Sequence, residues 1–172
     1  MKIISLTQDQ VALVDDDDFD WLISGFKWCA VWMRGSESFY ATRYAGGGRK
    51  NGKHELLHRV IMGVTDPKVK VDHKNHNTLD CQRSNLRICT HAQNLWNRRG
   101  AERGSKSGIR GVCWNKNAGK WIAQIGVNGK GVYLGIFSDQ TKAAAAYAAA
   151  SKKHHGEFGE AAARDRREFG PK

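Results

Sequence analysis

Apolar positions in the first hundred residues fall in short runs that alternate with polar ones, the pattern of strands rather than of long amphipathic helices. Residues 10–14, 28–32 and 39–44 predict strands, with Gly46, Gly47 and Gly48 as a turn, so the first 50 residues read as mostly sheet. Asp15 to Asp18 precede Phe19, Trp21 and Leu22. Such a run could gather a cation, but it suits a helix N-terminus better, because carboxylates there accept from unpaired amides and meet the positive end of the dipole. Further on, Val69 and Val71 alternate with lysines and predict a strand ending at Asp72 and His73, whose side chains point to opposite sides of the backbone. Residues 87–90 return as a second strand, and Thr90 caps a helix that starts at His91 and carries Asn94 in its first turn. Turn signals at 117–119 and 128–131 divide residues 108–158 into a meander of three short strands. The alanine-rich stretch 141–155 follows, with Tyr147 as its large apolar residue; it predicts a helix able to pack close to a sheet and capped by Ser138 or Asp139.

Charge divides the same chain. Its 172 residues hold 28 Lys and Arg against 17 Asp and Glu, for a formal charge of +11 and a pI near 9.7. Residues 1–50 carry 6 basic and 7 acidic side chains, residues 51–107 carry 11 and 5, and residues 108–159 carry 7 and 2. Two consecutive basic segments are what a partner of a polyanion requires. Between them, residues 97–108 are rich in Gly, Ser and charge and lack apolar periodicity, which predicts a linker whose Arg98 and Arg99 are candidate phosphate contacts. The expected organisation is a domain at 1–99 with its core motif at 57–98, a flexible basic linker at 100–107, a second domain at 108–159 and a charged tail at 160–172. No stretch approaches the roughly 20 apolar residues of a membrane span, and the first ten residues turn polar too early for a signal peptide. The expectation is a soluble cytoplasmic chain with no membrane partner. Cys29, Cys81, Cys89 and Cys113 contain no CxxC pair and read as free thiols rather than disulfides or zinc ligands.

Reactive residue types crowd between Leu57 and Asn94: His58, Asp72, His73, Asn75, His76, Asn77, Asp80, Asn85, Arg87, His91 and Asn94. A carboxylate and an amide oxygen are hard donors that suit Mg²⁺ or Mn²⁺, with retained waters and a bound phosphate, better than they suit zinc. Histidine, with a usual pKa of about 6.5, can accept a proton from water near neutral pH. A lone Asp-His pair is common; the whole set at these spacings is specific.

Val71-Asp72-His73, Asn85-Leu86-Arg87 and Gln93-Asn94, in this order, resemble the HNH endonuclease motif, the ββα-metal fold, in the variant of phage-type homing endonucleases. The resemblance extends upstream over residues 57–63. It implies that His73 is the general base that activates water, that Asp72 and Asn94 hold one divalent metal per site, Mg²⁺ or Mn²⁺, and that Asn85 holds the loop against His73. His91 lies three residues before Asn94 on the same helical face and is the alternative ligand. His58 is expected to be structural. His76 stands where related loops carry Gly, and Cys81 where they carry a polar residue. The implied reaction is in-line attack of water on a phosphodiester, leaving 5′ phosphate and 3′ hydroxyl.

Arg110-Gly111-Val112, Gly119-Lys120-Trp121, Ala123-Gln124-Ile125, Leu134-Gly135-Ile136-Phe137 and the alanine-rich helix resemble the apetala/ethylene-response-factor DNA-binding domain, whose three-stranded sheet lies in the major groove. That implies DNA contacts from Arg110, Trp114, Lys120, Trp121 and Gln124, with Lys116, Lys130 and Tyr133 as further candidates; Trp121 could equally be core. The whole-chain expectation is α+β: an N-terminal ββα-metal HNH nuclease domain with extra strands, then a three-stranded antiparallel sheet packed on one helix. It would be a metal-dependent DNA endonuclease, a monomer acting on double-stranded DNA without a small-molecule substrate. Removing residues 108–172 is expected to leave some metal-dependent nicking. The rival readings are a catalytically inactive DNA-binding regulator on the same fold, and an RNA-binding or RNA-cleaving protein.

Overall fold

The alternating runs of the amino-terminal half become short antiparallel pairs. A computed structural model describes residues 1–46, 52–98, 101 and 104–159; Gly47, Gly48, Arg99 and the tail 160–172 lie outside the described residues. The fold is a mixture of small sheets and few helices, and the chain divides into two compact units, Met1–His91 and Ala92–Lys172.

In the first unit β1 (Lys2–Ser5) pairs with β2 (Val11–Val14), and α1 (Asp16–Ile23) follows. The strands β3 (Cys29–Met33), β4 (Ser38–Ala45) and β5 (Lys53–Leu56) form an antiparallel sheet in chain order, and the short helix α2 (Leu57–Ile61) continues directly from β5. A second antiparallel pair, β6 (Lys70–His73) and β7 (Leu86–Cys89), leads into α3 (His91–Trp96). Ile4, Ala12, Val14, Leu22, Trp28, Ala41, Leu57, Ile61, Cys81 and Leu86 form the core. The long loop between β6 and β7 is anchored on β2, where Leu13 N donates to Leu79 O at 2.9 Å and Cys81 N donates to Leu13 O at 2.8 Å. This anchoring buries Cys81 completely, which explains an apolar thiol at a loop position.

The acidic run does more than face the helix dipole. Asp16, Asp17 and Asp18 occupy the first turn of α1, as expected, but Asp15 at the N-cap makes no side-chain bond to the helix. Its carboxylate instead accepts from the Arg83 amide at 2.8 Å and from Gln82 Nε2 at 3.4 Å. This corrects the capping role expected for Asp15: an amide in the β6–β7 loop, lacking a strand partner, competes for the same oxygens. Asp18, 3% exposed, receives Arg83 Nε and Nη2 at 2.7 Å each and Trp21 Nε1 at 3.1 Å.

The second unit contains β8 (Val112–Asn115), β9 (Lys120–Val127) and β10 (Lys130–Phe137), an antiparallel meander with β9 in the centre, followed by α4 (Gln140–His155). Ala143, Tyr147, Ala150, Ser151 and His155 recur at helical spacing and are the buried stripe of α4; Ala143, Tyr147 and Ala150 share a core with Val112, Ala123 and Ile125 of the sheet. Asp139 caps α4, accepting from Thr141 N at 2.7 Å. The described part of the expected linker is fastened rather than flexible. Ala101 and Ser107 are buried, Ser107 Oγ donates toward the Ile109 and Val112 carbonyls, and Gln140 Nε2 donates to Ser107 O at 2.6 Å. The hydroxyl adds a partner to the Ile109 carbonyl, which also accepts from Val112 N at 3.3 Å, and to that of Val112 at the start of β8. Among the described residues no helix is long and apolar enough to cross a membrane.

Gly111 decides how closely α4 approaches. It has φ +69°, its carbonyl accepts from Gln124 N at 2.8 Å, and a Cβ placed on it would land in the Tyr147 ring. Gly111→Ala combines a left-handed backbone with overpacking and should lower the stability of the second unit by about 3 kcal/mol in urea unfolding. An unchanged midpoint would show that α4 does not sit this close to the sheet.

Candidate functional site

The register of β6 and β7 builds the site. Asp72 lies opposite Arg87 and His73 opposite Leu86. Directly opposed residues share a face, so the guanidinium meets the carboxylate. Arg87 Nε donates to Asp72 Oδ2 at 2.9 Å and Nη2 lies 2.8 Å from the same oxygen, with side-chain exposures of only 10% and 9%. A buried pair of this kind holds the carboxylate in one orientation, and removing either partner would leave an uncompensated charge.

His73 points to the other face, where three elements of the first unit converge. Its ring centroid is 4.8 Å from that of His58, from α2, and 6.3 Å from that of Tyr40, from β4; Tyr40 and His58 are 5.8 Å apart. His58 and His73 are each 5% exposed. Burial pushes His73 down to about 4, with the Asp80 carboxylate pulling the other way. Burial also pushes His58 down to about 3, helped by the charges of His73 and Arg59. Both rings are therefore neutral near pH 7, each able to accept a proton on one nitrogen.

Asn85 braces the loop that follows His73. Its Oδ1 accepts from Asn75 N at 3.0 Å, its Nδ2 donates to Asp80 O at 2.7 Å and its carbonyl accepts from Lys74 N at 2.9 Å. Asn75 Nδ2 in turn donates to Asp80 Oδ2 at 2.7 Å. His76 N donates to His73 O at 3.0 Å, and His76 has φ +63°. That left-handed turn is free of strain for glycine but not for a residue with a side chain, so His76 is strained there.

His91 and Asn94 both lie in the first turn of α3, His91 exposed and Asn94 half-buried. Among the described residues no group of three or more His, Cys, Asp or Glu side chains is placed to hold a metal ion. Asp72 offers carboxylate oxygens and Asn94 an amide oxygen, donor types that suit a hard cation keeping several waters.

The second unit separates the residues expected to touch DNA. Cross-strand pairs put Lys120, Ile122 and Gln124 of β9 on one face with Cys113, Tyr133 and Ile136, while Val112, Ala123 and Ile125 face the core. Trp114 lies opposite Trp121 on the side of Val112 and Ala123, with ring centroids 4.9 Å apart. The two tryptophans therefore do not share the face of Gln124; two residues' parity on β8 and β9 turns them toward the helix side. Arg110, ahead of β8, instead donates from its Nη1 to Leu95 O at 2.6 Å and to Trp96 O at 3.1 Å. Lys116 and Lys130 are exposed at the two hairpin turns, and Arg98 is exposed just after α3.

Residues 55–95 match the sequence family described as HNH endonuclease, a stretch that runs from the end of β5 through β6 and β7 into α3. This match supports a nuclease. No curated protein and no solved structure shows significant similarity to the chain. Sequence reasoning gave Tyr40 no part in the site, named Asp80 without a role and took Arg87 only as part of a motif. The place of Arg87 could have been found by counting back along the two strands from Asp72, whereas nothing local marks Tyr40.

The histidine shifts fix a pH dependence. The unfolded chain takes up protons near 6.5 while folded His73 and His58 do so only near 4 and 3, so their share of stability is complete above pH 6.5 and is lost as pH falls. Urea unfolding of the first unit should weaken by about 1.4 kcal/mol per histidine per pH unit from 6.5 toward 4, and His58→Phe should remove one share of that slope. A flat profile between pH 7 and pH 5 would contradict the burial of these rings.

Proposed function

We propose that this protein is a metal-dependent DNA endonuclease of the ββα-metal type. The observation that carries the reading is the β6–β7 pair followed by α3, with Asp72 and His73 on opposite faces of one strand end inside the stretch that matches HNH endonucleases. Asp72 and Asn94, with His91 as the alternative, would hold one divalent ion, Mg²⁺ or Mn²⁺, which supplies charge neutralisation at the scissile phosphate.

The chain's own residues perform the remaining steps. His73, neutral through burial, takes a proton from the attacking water, and the Asp80 carboxylate offsets the positive charge that arises on the imidazole. Asn85 and Asn75 lock the loop behind His73 so that its ring keeps one orientation. Arg87 does the same for Asp72. In the second unit Lys120, Gln124 and Tyr133 share the sheet face turned away from α4 and are assigned to DNA, with Lys116 and Lys130 reaching phosphates from the turns. Arg110 and Trp121 are assigned to the framework of that unit, while Trp114, 41% exposed, stays a candidate contact on the other face.

The test is cleavage of supercoiled DNA that includes sequence flanking the protein's own gene, in Mg²⁺ and in EDTA. His73→Ala should lower the cleavage rate about 10²–10⁴-fold while DNA affinity in EDTA stays within about twofold. Undiminished cleavage by His73→Ala would refute the assignment, and tight binding without cleavage by either protein would favour a DNA-binding regulator.

A further inference from the structure

We infer that His58 and Tyr40 are positioning residues of the nuclease centre, two ring walls that fix the orientation of the His73 imidazole, a role that rests on the assignment of His73 as general base proposed above.

A histidine ring is not oriented by its own torsions. The bond from Cβ to the ring has only a broad, roughly two-fold preference, so a base whose nitrogen must meet one water takes its direction from what surrounds it. Around His73 two rings stand nearly upright to its plane, His58 at 72° with centroids 4.8 Å apart and Tyr40 at 73° and 6.3 Å. Edge-to-face is an arrangement that the quadrupoles of aromatic rings favour. His58 and Tyr40 also meet each other, at 5.8 Å, so the three rings form a closed set. His73 is 5% exposed, and turning its ring would disturb both contacts at once.

Each wall is itself tied to the strand that carries His73, one at either end. Arg59, the neighbour of His58 in α2, donates Nη1 to Val69 O at 2.7 Å and Nη2 to Asp66 O at 2.6 Å, on the segment that enters β6. A helix of five residues has too few hydrogen bonds to keep its own place, and α2 is fixed by these bonds together with Leu57 and Ile61 in the core. On the far side Thr78, in the loop that leaves β6, donates its hydroxyl to Phe39 O, the carbonyl just before Tyr40 in β4. Entry to β6 and exit from it are thus each bonded to one of the elements whose rings flank His73. The walls keep their distance from the base because backbone groups hold them there. What touches His73 at position 58 is the flat side or edge of a ring, so a ring is what that position must supply.

The experiment is single-turnover cleavage in Mg²⁺ by the full-length protein at rising concentration, on supercoiled DNA that includes sequence flanking its own gene. It separates the rate at saturation from the half-saturating concentration, and circular dichroism establishes that each variant is folded at the working temperature. His58→Ala should lower the saturated rate about 10–100-fold, the scale of a misplacement of about 1 Å, with half-saturation within about twofold of wild type. His58→Phe, which keeps a ring against His73, should recover most of that rate. Tyr40→Phe should likewise cleave like wild type and Tyr40→Ala should not. A purely structural role for His58 would lower the melting temperature and leave the saturated rate of the folded variant unmoved. Wild-type rate in folded His58→Ala, or His58→Phe as slow as His58→Ala, overturns the inference, and loss of cleavage in His73→Ala then leaves the nuclease reading standing. Cleavage undiminished in His73→Ala, or absent in wild type, overturns that reading and the inference with it. Should His58→Ala fail to fold, Tyr40→Ala against Tyr40→Phe carries the same comparison.

Discussion

A carboxylate nine-tenths removed from water needs a cation, and in this protein the rest of the candidate site follows from how that need is met. Asp72 is answered by Arg87 across the β6–β7 pair, which fixes the register of the two strands. A slip of one residue would turn Arg87 to the opposite face and bring Leu86 against Asp72. The same register sends His73 to the far side of β6, among Tyr40 and His58. Two adjacent residues thereby acquire different environments, a charged one for the Asp72 carboxylate and a largely aromatic one for the His73 imidazole.

Holding that strand end still is the work of the loop between β6 and β7. It is tied to β2 by the Leu13 ladder, to α1 by Arg83 on Asp15 and Asp18, and to itself by Asn85. Each tie satisfies a backbone or buried polar group that would otherwise be exposed to an apolar surround, so the loop is ordered without regular structure. The strained turn at His76 persists because these ties surround it.

The strands and the helix around Asp72, His73 and Asn94 were legible because alternation, turn residues and a cap are local signals. So were the three-stranded meander and the alanine-rich helix of the second unit. What was not legible depends on partners far along the chain. Asp15 looks like a cap from its neighbours, yet its oxygens go to the Arg83 amide. Trp114 and Trp121 do not show from the sequence that register places them on the side of Val112 and Ala123, away from Gln124. Arg110 looks like one more basic residue facing a polyanion, but two helix carbonyls claim it. In each case local chemistry was read correctly and the competing partner could not be seen.

The residues between 97 and 108 carry the same lesson to the level of architecture. Their composition is that of a solvated connector. Yet Ser107 satisfies the start of β8, Ala101 is buried, and the compact unit extends back past both to Ala92. Glycine and serine supply flexibility only where nothing claims their backbone groups, and at Ser105, Ser107 and Gly108 those groups are claimed. The boundary that matters physically is then set by which contacts hold α3, a helix too short to stand alone, and not by where the chain becomes rich in glycine.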